Sequence, residues 1–407
     1  MGSRPADQLP HGWGPLYAGL ASPVQRGLIS LTKATATLAV WVSIQIALSG
    51  AACSPSTPSL SDQVIGFLRA GDIWTIHGDR TGVHRWTTDC QVRSFEFSPD
   101  SNSIVYCRGG GWDDAAEVGQ DGTMARISIG SGKVQELTQG NNPRITPDGQ
   151  WLAFDRFRGN GKRTDHGNRL VYLMQLDGGA PEQAILNPES FDRWFGPEVM
   201  GWDREGKTVL VSGTNETGAS NMVYAVSVGS RQLEPISNGY YPLAVPQNTI
   251  VLTVHTYYHG GGSCEYLYRV GLPGSAPVPA SRLTDWDLLE QGAAVSPTGS
   301  LLAFCAYDSG GSATDAAGNF YKGEQMAVVY DLANGTRRPI LTSKLGDQAG
   351  GSQYESVAWS PDEQRLCLQT WTPNGGRRSL WILGADGTGL HKLVDDGQSA
   401  AWRPKRP

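Results

Sequence analysis

Apolar residues in this chain come in short runs rather than long amphipathic stretches, and a polar turn sets off each run. Phe97-Ser98-Pro99-Asp100 leads into Ile104-Val105-Tyr106, and Ile145-Thr146-Pro147-Asp148-Gly149 leads into Trp151-Leu152-Ala153-Phe154. Val295-Ser296-Pro297-Thr298-Gly299 leads into Leu301-Leu302-Ala303-Phe304, and Trp359-Ser360-Pro361-Asp362 into Leu366-Cys367-Leu368. Proline presets φ in the turn, Ser or Asp caps its start, and Gly absorbs the awkward backbone at its end. Each copy therefore predicts strand, tight turn, strand. Weaker copies are Trp202-Asp203-Arg204-Glu205-Gly206 and Ala244-Val245-Pro246-Gln247-Asn248, and Ala401-Trp402-Arg403-Pro404 ends the series. Seven copies at intervals of roughly 40 to 65 residues predict a repeat architecture. Further β-rich runs follow the copies, such as Arg169-Leu170-Val171-Tyr172-Leu173-Met174 and Leu380-Trp381-Ile382-Leu383 as third strands. Lys133-Val134-Gln135-Glu136-Leu137-Thr138 and Gly389-Leu390-His391-Lys392-Leu393 supply fourth strands. Four antiparallel strands per repeat make one blade of a β-propeller.

The two chain ends decide the closure. The last copy is a first strand with nothing after it, while Val64 to Leu68, Asp72 to Ile76 and Val83 to Thr87 read as three strands with no copy before them. One blade is therefore expected to be stitched from both ends, which removes two open sheet edges. The fold class is all-β: a seven-bladed β-propeller closed by pairing of its N- and C-terminal strands, with six blades as the alternative. The Trp-Ser-Pro-Asp turn followed by Leu-Ala-Phe resembles the TolB-type, WD-like propeller repeats over residues 62–404. TolB itself carries an α/β domain ahead of its blades, and too few residues precede the first strand here, so the resemblance is to the repeat family.

Composition narrows the reading. Among 407 residues are 52 Gly and 13 Trp, with only 18% charged residues, which suits one large domain of many short strands. A net charge of −6 offers no electrostatic case for nucleic acid. Residues 34–52 form an uncharged, mostly apolar run behind Arg26 and Lys33, and small residues lead it directly into Cys53. A basic flank, an apolar core and small residues before a cut site describe an export signal. The pattern resembles a bacterial lipoprotein signal, which implies lipidation of Cys53. The alternative is a single spanning anchor, since the run is just long enough to cross a bilayer. The expected organisation is a signal over residues 1–52, a Ser/Pro-rich tether over 53–61 and the propeller over 62–407. Both readings place the domain outside the cytoplasm, as a monomeric unit on the membrane.

Of the other cysteines, Cys90 and Cys107 flank one hairpin, a spacing compatible with a local disulfide in an oxidising compartment. Cys367 alternates within an apolar strand and reads as a small core residue. The long irregular loops all fall on the side opposite the Ser-Pro-Asp turns, where function tends to sit on a rigid scaffold. They carry Trp112, Trp194, Tyr258, Trp286 and Trp371, with His166 and His259, and this set is the candidate binding face. Aromatic platforms with polar neighbours suit a protein or glycan partner; packing of loops against blades is the plainer role for any single ring.

His255 and His259 invite a metal reading, but four extended residues separate them by about 13 Å, too far for one ion. Asp113, Asp114, Glu117 and Asp121 lack the spacing of a calcium loop and read as a solvated acidic loop. No Gly-x-Ser-x-Gly elbow and no phosphate loop occurs. No cofactor, metal or catalytic residue is therefore assigned. The expected function is a membrane-tethered interaction module binding an envelope protein or glycan. The alternative is a glycan-cleaving, lyase-like propeller enzyme with a histidine-based metal site.

Overall fold

The computed structural model describes residues 59–405 except 114–117, 158–168, 178–181, 187–195, 215–220, 258–262, 275–279, 284–287, 309–323, 345–352 and 373–375. Among the described residues the chain is almost entirely β-strand, and the strands group into seven four-stranded units. Blade 1 is stitched as expected, with inner strand Gln398–Trp402 against Val64–Arg69, so that Ile65 pairs with Trp402 and Gly66 with Ala401. The inner strands of blades 2, 4, 5, 6 and 7 are Val92–Phe97, Glu198–Trp202, Tyr240–Val245, Leu288–Val295 and Gln353–Trp359. Blade 3 draws its inner strand from the end of Val134–Ile145, a twelve-residue strand that begins as the outer strand of blade 2. The expected strand from Val83 to Thr87 is only His84–Arg85.

Alternation along each second strand explains why these runs are apolar without a break. Leu152 and Phe154 pack toward blade 2, while Ala153 packs toward blade 4. Leu302 and Phe304 face blade 5, whereas Ala303 and Cys305 face blade 7. Both faces of a blade are buried, so neither parity tolerates many polar residues. Seven hydrophobic clusters result, each between consecutive blades, and one of them joins blade 7 to blade 1 through Ile65, Phe67, Cys367, Leu380 and Trp402. The series closes on itself. Full burial of side chains such as Phe67, Phe154 and Phe304 contributes about 1.5–3 kcal/mol each.

The repeated turns are locked by side chains. Ser360 Oγ donates to Asp362 Oδ1 and accepts from Arg365 N at 2.9 Å, while Asp362 Oδ1 also accepts from Gln364 N at 3.1 Å. Thr146 with Asp148 builds the same lock in blade 3, and Ser98 with Asp100 in blade 2. The weak copies use other chemistry. Asp203 replaces the hydroxyl and accepts from Lys207 N and Thr208 N, at 2.8 and 3.1 Å. Gln247 and Asn248 both adopt left-handed φ, 67° and 53°, the two-residue hairpin form. The tryptophans have a second duty. The indoles of Trp202, Trp359 and Trp402 donate to the carbonyls of Arg144, Ala294 and Ala358, each on the inner strand of the preceding blade, at 3.0–3.1 Å.

The candidate disulfide is not present. Cys90 is exposed and its thiol donates to Asp72 Oδ2 at 3.4 Å, while Cys107 is buried with its thiol on the Gly140 carbonyl at 3.4 Å. Cys107 alternates onto the face that packs against blade 3, so it points away from the crossing that carries Cys90. Cys367 is a core residue, as expected, and burial pushes its thiol up to about 12.

Candidate functional site

Every inner strand carries one residue more than its partner requires. In all seven blades the pairing of inner and second strands slips, between Tyr354 and Ser356 in blade 7, for example, and between Tyr240 and Leu243 in blade 5. A bulge bends its strand and re-aims a side chain. The bulges lie in the half of each inner strand remote from the Ser-Pro-Asp turns, and six of the seven border a cavity of about 620 Å³. Arg144, Met200, Tyr241, Gly292, Glu355 and Ser399, from six different blades, line it.

The wall is chemically mixed and locally strained. Asn142, Tyr241, Gly292 and Ser399 occupy the left-handed region at φ 49°, 51°, 60° and 54°. At Gly292 this is forced, since a Cβ would stand 2.1 Å from the Glu355 carbonyl oxygen. Tyr241 has no such excuse: it is bulky, at positive φ, and 67% exposed. Its neighbour Tyr240 lies 6.1 Å away, centroid to centroid. Glu355 accepts from Arg378 Nε and Nη2 at 2.9 and 3.1 Å and from Gln369 Nε2 at 2.7 Å, so the carboxylate is held by a two-pronged pair. Arg144 donates from Nε to the Met200 carbonyl at 2.8 Å. Beside it Glu96 accepts from Ile145 N at 3.0 Å; burial raises its carboxyl, against the pull of Arg144 and that N–H.

A polar girdle joins blades just outside this wall, one strand out. Asp155, fully buried, accepts from Val199 N at 3.0 Å across the seam to blade 4, and from Asn142 Nδ2 at 2.8 Å. Gln369 occupies the equivalent place in blade 7 and accepts from Ser399 N in blade 1 at 2.7 Å. Burial first pushes the Asp155 carboxyl up to about 6; Arg169 and the two hydrogen bonds oppose the rise, and Glu198 adds to it.

Of the sequence-derived binding set, only Trp371 has a described side chain. It is half-buried near the end of the second strand of blade 7, paired with Gln353 and Arg378 and on the same side of the strand as Gln369. Trp112 lies in a small hairpin, Gly111–Asp113 with Val118–Gln120, but its side chain, like Tyr258, His166, Trp194, His259 and Trp286 as a whole, lies outside the described residues. His255 pairs with Glu265 along the backbone, and its ring is likewise outside. Asp121 is not part of a solvated loop. Its Oδ1 accepts from Phe157 N at 3.0 Å and Asn141 Nδ2 at 2.8 Å, tying the hairpin base to blade 3. Among the described residues no group of three or more His, Cys, Asp or Glu is placed to hold a metal ion. Sequence reasoning passed over Tyr241, whose only signal is the Gly239-Tyr240-Tyr241-Pro242 run.

No protein-family model and no curated protein matches this chain. Solved structures do match. A prolyl endopeptidase superposes with a TM-score of 0.53 at 10% identity, over 83% of this chain and 50% of that one. The oligogalacturonate lyase of Vibrio parahaemolyticus gives a TM-score of 0.51 at 10% identity, over 80% and 91%. The fold is a β-propeller. TolB from Acinetobacter baumannii is 15% identical and covers 86% of this propeller chain and 68% of its own, with a TM-score of 0.46. The chain thus spans half the length of the prolyl endopeptidase it matches. At these identities the likeness is one of fold, and function has to be argued from the propeller's own residues.

Proposed function

We propose that this β-propeller is an exported, membrane-tethered binding module of the cell envelope, which takes a protein or glycan partner into the mouth of its central cavity. One observation carries the reading: an exposed tyrosine held in a strained backbone conformation, Tyr241, on the wall of a cavity of about 620 Å³. Strain of this kind costs about 1–3 kcal/mol and persists at ligand clamps. The ring offers a stacking surface, while Arg144, Glu355 and Ser399 offer donors and acceptors around it. The cavity belongs to the half of the inner strands remote from the Ser-Pro-Asp turns, and Trp371 pairs with Gln353 in that same half. The apolar run 34–52 and Cys53 support export and lipid tethering, although both lie outside the described residues.

The test compares wild type with Tyr241→Ala on a glycan array and in capture from envelope extract, with Asp148→Asn on the turn face as control. Loss of a retained partner with Tyr241→Ala alone supports the cavity; loss with Asp148→Asn alone places the binding surface on the other side. A glycan-cleaving activity abolished by EDTA and by His166→Ala replaces the binding role with the enzyme one. Cys53→Ser is expected to remove lipid labelling and release the domain, and membrane retention of an unlabelled wild type would point instead to a spanning anchor.

A further inference from the structure

The seven second strands offer the same position seven times, one residue beyond the apolar triplet and facing the next blade. Pairing of each strand with its inner partner puts Cys107, Asp155, Ser212, Thr253, Cys305 and Gln369 there in blades 2 to 7. Asp155 is the one carboxylate among them. Its bridging task does not call for a charge, since Gln369 makes the same bridge to the next blade with a neutral amide.

Asp155 pays for its charge. It is fully buried, and while Oδ2 takes both hydrogen bonds, Oδ1 has none. Arg169 Nη1 stands 3.5 Å from Oδ1 but is drawn toward Glu198, whose Oε1 it meets at 2.5 Å. The guanidinium also lies over the Phe157 ring, 4.3 Å from its centre. The other ionisable groups facing this place are Cys107, a thiol pushed up to about 11 by burial, and Asp121, whose carboxyl burial also raises. A buried carboxylate with an unmatched oxygen is stabilised either by taking a proton or by reaching water. Reaching water means opening the seam. The residues released on opening would be Asn142, in left-handed backbone at the bulge, and Val199, next to the cavity-lining Met200.

We infer that the seam between blades 3 and 4 is a proton-operated latch in the cavity wall: a protonated Asp155 keeps it closed, and ionisation drives it toward opening. The direction follows from linkage, because the closed state holds the proton more tightly than a hydrated, open one. The closed seam titrates near 6 and an open one at the ordinary carboxylate value, so the change falls between about pH 4 and 6 and is nearly complete at neutral pH. The inference concerns the wall itself and holds whichever partner the cavity takes.

The test is amide hydrogen exchange of the full chain from pH 5 to 7.5, corrected for intrinsic exchange rate, comparing peptides over 198–202 and 398–402. Protection over 198–202 is expected to fall about tenfold across this range, the upper part of the roughly hundredfold change that titrations about two units apart allow. The Gln369 seam over 398–402 is an internal reference and is expected to stay flat. Asp155→Asn should abolish the dependence at 198–202 and leave protection high throughout. A flat profile over 198–202 in wild type overturns the latch, as does the same slope at both seams. If Asp155→Asn fails to fold, the two seams within wild type still decide.

Discussion

The seams between blades 3 and 4 and between blades 7 and 1 solve one problem in two ways. In both, a second-strand side chain crosses to the next blade's inner strand and accepts a backbone N–H beside the bulge. Gln369 does so half-buried, and its other end supports Glu355 through Nε2. Asp155 does so fully buried, with a guanidinium it shares with Glu198. A neutral acceptor is enough for the hydrogen bond; the carboxylate adds a desolvation cost that the neutral amide avoids. The difference teaches that the bridge, made at these two seams, needs only an acceptor, and that blade 3 alone makes it with a charge.

The comparison breaks most severely at the closure. Removing residues 398–407 deletes the inner strand of blade 1, the Trp402 indole donor and one wall of the cluster around Ile65 and Phe67. Loss of cooperative unfolding is expected, read by calorimetry, and an unchanged melting temperature would mean that the ring does not depend on its stitched blade. Next in size is Asp155→Asn. With a folded-state titration near 6, above the ordinary carboxylate value, wild-type stability is highest at low pH in this respect. It falls as pH rises from about 4 to 6 and is level above that. The substitution should therefore stabilise the protein at pH 7.5 by up to about 3 kcal/mol and have little effect at pH 4, as chemical denaturation at the two pH values will measure. Gln369→Ala leaves Ser399 N without its acceptor and should cost about 1–2 kcal/mol at every pH, which sharpens the contrast with Asp155. The smallest change expected is at Tyr241→Asn. Asparagine tolerates left-handed backbone, so stability should hold or rise by about 1 kcal/mol while partner binding falls; a drop in stability would make Tyr241 a packing residue.

Much of this architecture was legible in the chain. Ser360-Pro361-Asp362 and its relatives place the first hairpin of each blade because the turn is held by its own side chains, within five residues. The stitched blade followed from counting strands at the two ends. The functional wall was much less legible. Trp202, Trp359 and Trp402 read as apolar members of a motif, yet their indoles tie each inner strand to the one before it. Their acceptors lie some 44 to 65 residues away, beyond any local pattern. Cys90 and Cys107 look like partners by spacing, but Cys90 sits in the connection ahead of Val92–Phe97 with its thiol on Asp72, while strand alternation turns Cys107 toward blade 3.

What the sequence determined by itself is therefore the local part: strand period, turn chemistry, apolar runs with both parities buried, and the number of repeats. These depend on residues within a few positions of one another. Tertiary structure decided the rest. The bulge recurs in every inner strand, yet no residue type marks it: the extra position is Met200 in one blade, Tyr241 in another and Glu355 in a third. Asp155 reads in sequence as one charge ending an apolar run. Only its neighbours from blade 4, Val199 and Glu198, leave it buried and sharing its cation, because desolvation is set by what closes over a group and not by the residues beside it in the chain.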